Sequence, residues 1–176
     1  MKTLLLTVAL SLTAVLQAQD PPAFLSNRQN ITGTWYMKAI VTDKKLPEKT
    51  WPHEAYPLTV RDTGTEDLEV TITFMKEGQC YEKTVLMQPT EQPGQYIADE
   101  GRKRVSLWRL PEGHAIFYCE GSSSGRQFRA MKLMGREPGM APKPMEESKK
   151  FIKTKGFEER EITVPTQKER CETPSD

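Results

Sequence analysis

Short runs of β-branched and aromatic residues follow one another through the middle of the chain, separated by Gly, Pro, Asp or Ser. Such runs are typical of β-strands, and the separating residues are those that form turns. Most of the connections have the length of a hairpin loop. The pattern therefore predicts eight strands in sequence order: residues 34–42, 56–61, 68–75, 81–87, 95–98, 104–110, 115–120 and 127–134.

Eight short strands linked in order favour an all-β fold, an eight-stranded up-and-down antiparallel barrel. Closing the sheet removes its edges and leaves an interior wide enough for one small ligand. A sandwich of two sheets is the structural alternative.

One helix is predicted after the strands. Met145 and Ile152 fall at helical spacing with Phe151 beside them, Glu146-Glu147 occupy the first turn, and Gly156 stands at the end. We expect this helix to pack its apolar side on the barrel wall.

A short ninth strand is predicted near the C-terminus. Residues 161–164 carry Ile, Thr and Val and are followed by Pro165. Because proline lacks a backbone donor, such a strand belongs at an edge.

The first 18 residues have the pattern of a secretory signal peptide. A positive start precedes an apolar run over residues 4–16, which is too short to span a membrane, and the small residue Ala18 follows. A buried N-terminal helix is the alternative. The predicted organisation is a signal peptide at 1–18, an N-terminal arm at 19–30, the barrel at 31–136, and a loop, helix, edge strand and tail at 137–176.

The charges of the chain are balanced. Once Lys2 leaves with the signal peptide, 24 Lys and Arg face 24 Asp and Glu. The two signs are interspersed, so no single-sign field is available for nucleic acid or an acidic membrane.

Three cysteines remain after processing, which is an odd number for an oxidising compartment. Three pairings are open. Cys171 lies in a polar tail that a bridge would restrain, whereas Cys119 lies in an apolar run typical of a sheltered thiol. We therefore predict a disulfide between Cys80 and Cys171.

Several motifs together resemble one family, the lipocalins, and within it the tear lipocalin (von Ebner's gland protein) and odorant-binding protein 2 branch. The resemblance implies a barrel that holds a small hydrophobic molecule. The motifs are residues 33–39, 91–96, 116–121, 132–136 and 155–157, together with Cys171.

The resemblance implies structural roles at one end of the barrel. In lipocalins the Trp of the first strand lies at the closed end and an Arg covers its ring, which implies a stacked pair of Trp35 and Arg136 beside Gly33, worth about 1 to 2 kcal/mol. Two positions depart from the family. The turn at residues 112–114 is one residue short, and Ser148 replaces an aromatic residue, which predicts a looser helix contact.

Alternation along the strands predicts which side chains face the interior. Ordinary core packing is the alternative interpretation for each of them. The sixth strand has no clear phase, and its residues stay unassigned. The predicted ligand-binding residues are Met37, Ala39, Tyr56, Leu58, Val60, Val70, Ile72, Phe74, Phe117, Cys119 and Lys132.

Lys132 is the sharpest single hypothesis. The alternation that buries Phe128 and Ala130 also turns Lys132 inward, and the resemblance places a ligand-facing lysine there. An amine in an apolar interior can pair with a carboxylate or approach an aldehyde. A solvated lysine on the outer face is the alternative.

Other chemistry finds little support in the sequence. His53 and His114 show no metal-ligand spacing and are expected at the surface, so neither a metal nor a cofactor is predicted. Some lipocalins isomerise a prostaglandin through an early thiol, but no cysteine precedes Cys80. We therefore predict no enzyme. Asn30-Ile31-Thr32 matches a glycosylation acceptor.

The sequence thus predicts a secreted, extracellular carrier of fatty acids, other lipids or odorants. An interaction protein that acts through the open-end loops, as a protease inhibitor or receptor ligand, is the alternative. A prostaglandin-isomerase-like enzyme comes third. The expected partner is a small hydrophobic ligand, or a cell-surface receptor under the alternative, and the expected state is a monomer or weak dimer.

Overall fold

The computed structural model describes residues 22–43 and 53–172. The predicted signal peptide lies outside these residues. The elements are α1 (Arg28–Ile31), β1 (Gly33–Thr42), β2 (Glu54–Ala55), β3 (Leu58–Asp62), β4 (Leu68–Lys76), β5 (Gln79–Pro89), β6 (Gln95–Ala98), β7 (Lys103–Leu110), β8 (His114–Ser123), β9 (Arg126–Gly135), α2 (Pro142–Thr154) and β10 (Thr166–Gln167).

Eight of the strands close into an antiparallel barrel in the order β1-β3-β4-β5-β6-β7-β8-β9. The last strand, β9, pairs back onto β1, so the sheet has no free edge along these pairs. This confirms the predicted fold. The eight predicted strands agree with the observed ones to within a few residues at each end.

The two ends of the barrel are built differently. Helix α1 and the connections 63–67, 90–94 and 111–113 lie at one end, which we call the closed end. The turns at 77–78, 99–102 and 124–125 lie at the opposite, open end together with Asp43.

Two apolar clusters lie on opposite sides of the barrel wall. The interior cluster fills the lower barrel: Leu25, Ile31, Trp35, Leu58, Val60, Leu68, Val70, Met87, Tyr96, Ala98, Leu107, Ala115, Phe117 and Met134, with Met37, Ile72, Val85 and Val105 against it. The outer cluster lies between the wall and α2: Ala39, Val41, Leu110, Ile116, Tyr118, Met131, Leu133, Phe151, Ile152 and Phe157, with Trp108, Met145 and Ile162 against it.

A β-bulge in β1 lies between the residues of this strand that belong to the interior cluster and those that belong to the outer cluster. Met37 pairs with Met134 and Ala39 pairs with Leu133, so Lys38 is an extra residue in the ladder. The bulge reverses the alternation beyond it, and Ala39 joins the outer cluster. The prediction that Ala39 faces the interior is therefore wrong.

Helix α2 packs on the outer face of the barrel, as predicted. It begins at Pro142, one turn earlier than expected, so Glu146-Glu147 lie beyond its first turn. Phe151 contacts Trp108 and Tyr118 with ring centroids 5.5 and 6.0 Å apart. Ser148 is fully buried, and its hydroxyl donates to the carbonyl of Met145.

The C-terminal tail differs from its prediction. Residues 159–161 form a turn of 3-10 helix, and Thr163 makes only an isolated bridge to Ile40. The strand that does form, β10, comes after Pro165 and pairs in parallel with β2. The tail then reaches Cys171, whose disulfide with Cys80 confirms the predicted pairing.

Candidate ligand-binding interior

The pairing of β8 with β9 determines which side chains face the hollow of the barrel. Directly opposite residues of an antiparallel pair lie on one face. Phe117, a member of the interior cluster, is opposite Lys132, and Cys119 is opposite Ala130. Lys132 and Cys119 therefore lie on the interior face, on neighbouring strands.

The burial of these inward side chains changes along the barrel axis. Near the closed end, Leu107 and Met134 have no exposed surface. Higher up, Ile72 and Val105 keep part of theirs, and Phe74 and Tyr81 at the open rim are 37% and 42% exposed. The interior near the closed end, the lower interior, is thus filled by side chains. The interior nearer the open end, the upper interior, offers accessible apolar surface.

The closed end is sealed by the predicted pair. The Arg136 guanidinium lies 3.7 Å from the centroid of the Trp35 ring, and the ring nitrogen donates to the carbonyl of Ile31 at 2.7 Å. Arg136 also donates to the carbonyls of Thr34 and Asn30. A side chain at Gly33, where φ is 107°, would stand 3.1 Å from the guanidinium, so glycine permits this approach.

Lys132 lies deep among protein atoms and yet keeps accessible surface. Because Lys132 lies on the interior face, this accessible surface is directed into the barrel. Burial lowers the pKa of the amine, the Cys119 thiol opposes that shift, and repulsion from Lys103 adds to it. Lys132 forms no ion pair or hydrogen bond within ranges 22–43 and 53–172.

A second inward lysine, Lys103, lies nearer the open end and was missed by the sequence analysis. It is opposite Gly121 on β8, on the face shared by Val105 and Cys119. Unlike Lys132 it has a carboxylate partner, since its Nζ lies 3.5 Å from Asp99. Its amine also lies 5.6 Å from the centroid of the Phe128 ring.

Two predicted lining residues lie away from the deep interior. Tyr56 donates to the carboxylate of Glu54 at 2.9 Å and lines a surface groove beside the tail. Phe74 shares the inward face of β4 but stands at the open rim, where it stacks on Tyr81. The prediction for Tyr56 is therefore wrong, and that for Phe74 needs a ligand that reaches the rim.

Strand β7 contributes apolar side chains to both faces of the barrel wall. The sequence analysis did not assign which of its residues face inward. Leu107 and Val105 belong to the interior, whereas Trp108 points outward and stacks on Phe24 at 4.0 Å. The N-terminal arm lies beside this end of β7, where Leu25 donates its backbone N–H to the carbonyl of Leu107 and Arg109 donates to that of Ala23. The arm adds Leu25 to the interior cluster and the Phe24 ring to the outer face, so this end of β7 has apolar neighbours on both faces and its sequence does not alternate.

The histidines are held apart from the interior. His53 is exposed, but His114 is buried, contrary to expectation, with its Nδ1 2.8 Å from the carbonyl oxygen of Glu112. Within the part of the chain that the structure describes, no group of three His, Cys, Asp or Glu residues is placed to hold a metal ion. Asn30, the glycosylation candidate, is exposed on α1.

Comparison with known proteins assigns this architecture to a family. The model described as the lipocalin / cytosolic fatty-acid binding protein family matches residues 32–169. The chain belongs to the lipocalin family. Members of this family bind small hydrophobic ligands and act as carriers.

Several relatives match this lipocalin over nearly its whole length. It is 41% identical over 172 residues to the major allergen Can f 1 of Canis lupus familiaris, covering 97% of each chain. It is 38% identical to odorant-binding protein 2a of Mus musculus, covering 97% of this chain and 98% of that one. It is 36% identical to von Ebner gland protein 2 of Rattus norvegicus, covering 97% of each chain. The branch that the motifs predicted is thus confirmed.

A solved structure of the siderocalin Ex-FABP superposes on this lipocalin with a TM-score of 0.69. The match covers 79% of this chain and 95% of that chain, at 19% identity, and supports the fold alone. Neither helix in the described part of the lipocalin has the length and apolarity needed to cross a membrane.

Proposed function

We propose that this lipocalin is a secreted carrier that holds a long-chain carboxylic acid, such as a fatty acid, inside the barrel. The apolar chain lies along the interior cluster, and the carboxylate pairs with Lys132. Binding requires no turnover, so the protein acts as a carrier and not as an enzyme.

The observation that carries this proposal is the unpaired amine of Lys132 on an apolar wall. Val105 and Phe117 supply apolar surface beside it, and burial of such surface contributes about 0.8 kcal/mol for each methylene of a ligand. A charged amine without a partner is costly in such a place, and a bound carboxylate removes that cost.

The proton balance also favours an acid as cargo. Burial lowers the pKa of Lys132, so the charged amine is less favourable in the empty site than in water. A carboxylic acid that enters can transfer its proton to the amine and form a charge-assisted hydrogen bond, which is about twice as strong as a neutral one. An alcohol of the same length forms only the neutral bond.

The proposal of secretion rests on the predicted signal peptide and the disulfide. A bridge between Cys80 and Cys171 is typical of an oxidising compartment. The proposal of secretion includes glycosylation at Asn30. The side chain of Asn30 is exposed and is therefore accessible to modification.

The test compares two ligands of equal chain length. Palmitic acid and hexadecanol each displace an uncharged apolar fluorescent probe, whose own affinity is measured for each variant, from the delipidated protein. Lys132→Met should weaken palmitic acid at least about tenfold, which corresponds to about 1.4 kcal/mol, and leave hexadecanol nearly unchanged.

Lys103→Met is the matched control, since Lys103 also faces inward but is paired with Asp99. It should alter the palmitic acid affinity by less than about threefold, the difference that about 0.6 kcal/mol makes. Equal losses for acid and alcohol in Lys132→Met would contradict the proposed role of the lysine. A wild-type protein that takes up no probe would contradict the carrier function itself.

The exposed rim favours a second candidate function, an interaction protein. Phe74, Met75 and Tyr81 are 37%, 39% and 42% exposed around the β4–β5 hairpin at the open end. A rim of this kind can contact a receptor or another protein. This candidate gains support if the probe fails to bind while Phe74→Ser disrupts a complex isolated from the native secretion.

A further inference from the structure

Strand β5 extends beyond its neighbour β6 at the open end of the barrel. Its pairing with β4 is continuous from Met87 to Gln79, whereas its pairing with β6 covers only residues 87–89. Strand β6 ends opposite Met87, and the chain then turns at residues 99–102 towards β7. On the side away from β4, residues 81–85 have no strand partner and no backbone hydrogen bond in the described part of the chain. We call residues 81–85 the free edge of β5.

The free edge is regular and uncovered. The ladder between β4 and β5 runs past it without a bulge, and the segment contains no proline. Tyr81, Glu82, Lys83 and Thr84 are all exposed although they alternate between the two faces of the sheet, and Val85 is half-buried. A regular strand with an open edge is a template for pairing with another extended segment.

The two charged residues of the free edge lie on opposite faces of the sheet. Lys83 is opposite Ile72, which packs against the interior cluster, so Lys83 lies on the inward face and Glu82 on the outward face. On the inward side, Lys83 and Lys103 both act electrostatically on Asp99, so two lysines share one carboxylate. On the outward side, Glu82 forms no ion pair with a described residue. The edge thus offers a positive charge inward and a negative charge outward.

This arrangement disfavours pairing with the same edge of a second copy. A two-fold axis keeps every residue on its own face, which leaves three registers that pair at least three residues of the free edge. The registers centred on Lys83 and on Glu82 each set a charge opposite its own copy, and directly opposite like charges destabilise a strand pair. The register centred on Thr84 sets Lys83 opposite Val85. The edge therefore favours a segment of a different protein.

We propose that the free edge of β5 binds an extended segment of another protein, which adds to the barrel wall as an antiparallel strand. Main-chain hydrogen bonds supply the affinity, and side chains on alternate faces supply the specificity. The segment carries an acidic residue opposite Lys83, a basic residue opposite Glu82 and an apolar residue that covers Tyr81, which is 42% exposed. In the direction of the partner chain, the pattern is acidic, basic, apolar.

This inference goes beyond the carrier function and does not depend on it. The added strand lies beside the mouth of the barrel, in the space above the turn at residues 99–102, and leaves the interior unchanged. It assigns the protein a partner whose chemistry differs from that of the cargo.

The probe is a fluorescein-labelled, amidated peptide, Val-Thr-Glu-Arg-Phe-Thr, which sets Glu opposite Lys83 and Arg opposite Glu82. The control peptide, Val-Thr-Arg-Glu-Phe-Thr, has the same composition with the two charges exchanged. Fluorescence polarisation should show that the first peptide binds at least about tenfold more tightly, because two pairs of opposite charge replace two pairs of like charge.

A charge-exchange variant tests the register. Glu82→Lys combined with Lys83→Glu should reverse the preference, so that the control peptide binds about tenfold more tightly. The matched control exchanges an ion pair on α2, with Glu146→Lys and Lys149→Glu, and should alter neither affinity. Near-ultraviolet circular dichroism shows that each variant is folded.

Methylation of the peptide backbone tests the strand pairing. In an antiparallel pair, the N–H groups of alternate residues face the neighbouring strand, and the others face away. Methylating the nitrogens of one alternate set should abolish binding to the free edge. Methylating the other set should leave the affinity within about threefold.

Equal affinities of the two peptides, a variant without the reversed preference, or tolerance of both methylated sets would each overturn the inference. The absence of binding up to about 1 mM peptide would overturn it as well. A dimer in analytical ultracentrifugation that the peptide dissociates would assign the edge to a second copy instead. Lys132→Met should bind the peptide as the wild type does, so a failure of the carrier proposal is distinguishable from a failure of this one.

Discussion

Within residues 22–43 and 53–172, Lys38, Lys103 and Lys132 have different surroundings. Lys38, in the bulge of β1, is 3% exposed and donates to the carbonyls of Glu137 and Gly139. Lys103 is paired with Asp99. Lys132 has neither kind of partner within the described ranges, so the cost of burying its amine is uncompensated there.

This difference predicts that Lys132→Met stabilises the empty protein, by about 2 kcal/mol at neutral pH. Because burial lowers the folded-state pKa of Lys132, the unfolded chain binds more protons over the range between that pKa and 10.5. Wild-type stability therefore rises with pH through this range, and the advantage of the variant should shrink towards pH 10.5. Cys119 and Lys103, which face the amine, stay unchanged in the variant.

Urea unfolding of the delipidated proteins at several pH values measures this effect. Lys149→Met is the control, since Lys149 lies at the surface of α2 beside Glu146 and should gain nothing. A Lys132→Met protein that is less stable than wild type at neutral pH would contradict the predicted cost.

Residue-level predictions from the sequence succeeded where the strand ladder is regular. Val60, Val70 and Phe117 lie in the interior cluster, as alternation predicted. Ala39 does not, because the bulge at Lys38 shifts the phase, and a bulge leaves no mark in a hydrophobic pattern. A long-range contact lies beside the bulge: Gln167, from the C-terminal tail, donates to the carbonyl of Met37.

At the scale of elements, β8 lies close to the backbone of the turn before β7 at Gly121. A Cβ there would stand 2.3 Å from the carbonyl oxygen of Arg102, which is backbone and is unable to rotate away. The same carbonyl accepts a hydrogen bond from the N–H of Ser122. Glycine therefore permits the close approach of β8 to the turn before β7 at the open end.

Gly121→Ala should accordingly lower the free energy of unfolding by about 1 to 3 kcal/mol, the range for overpacking. Ser122→Ala, at the next position, should change it by less than about 0.5 kcal/mol. Thermal unfolding of both variants by circular dichroism gives the comparison. Equal stability of the two variants would mean that the strand accommodates the methyl group.

The elements differ in how far local sequence predicts them. The eight barrel strands and α2 carry their own signals in turn residues and periodicity. Strand β10 does not, since its pairing depends on β2, which is two residues long. Helix α1 spans only four residues, and its N-cap Asn27 is the one local sign of it.

At the scale of the whole molecule, the tail is attached to the barrel at several points. Backbone hydrogen bonds join it to Ile40, His53 and Ala55, and the disulfide joins Cys171 to β5. The bridge spans 91 residues in sequence, so it restricts most of the unfolded barrel. In the loop-entropy model a bridge of this span contributes about 4 kcal/mol.

The double variant Cys80→Ser, Cys171→Ser should therefore unfold at a lower urea concentration, with a loss of about 4 kcal/mol. Cys119→Ser, which keeps the bridge but places a hydroxyl on the apolar wall, should lose less, about 1 to 3 kcal/mol. An unchanged midpoint in the double variant would show that the hydrogen bonds alone hold the tail.

Fold and closed end were predictable from the sequence because both depend on patterns that the family shares, such as Trp35 and Arg136. The upper interior was predicted only in part. The sequence analysis did not predict that Lys103 faces inward, because a lysine at a strand end is ordinarily solvated. Its inward orientation follows from the register that places it opposite Gly121. This register is a property of the β7–β8 hairpin and is absent from either strand taken alone.

Trp35 and Arg136 close one end of the barrel, and the interior is reached from the other end. For the proposed cargo, this geometry determines how the binding affinity depends on the length of the apolar chain. Each added methylene of a cargo chain gains about 0.8 kcal/mol while it finds wall to cover. Once the hollow is full, further carbons project through the mouth into water and gain nothing. Affinity across a homologous series should climb steeply and then level off, so the proposed carrier would require a minimum chain length of its cargo and tolerate any excess.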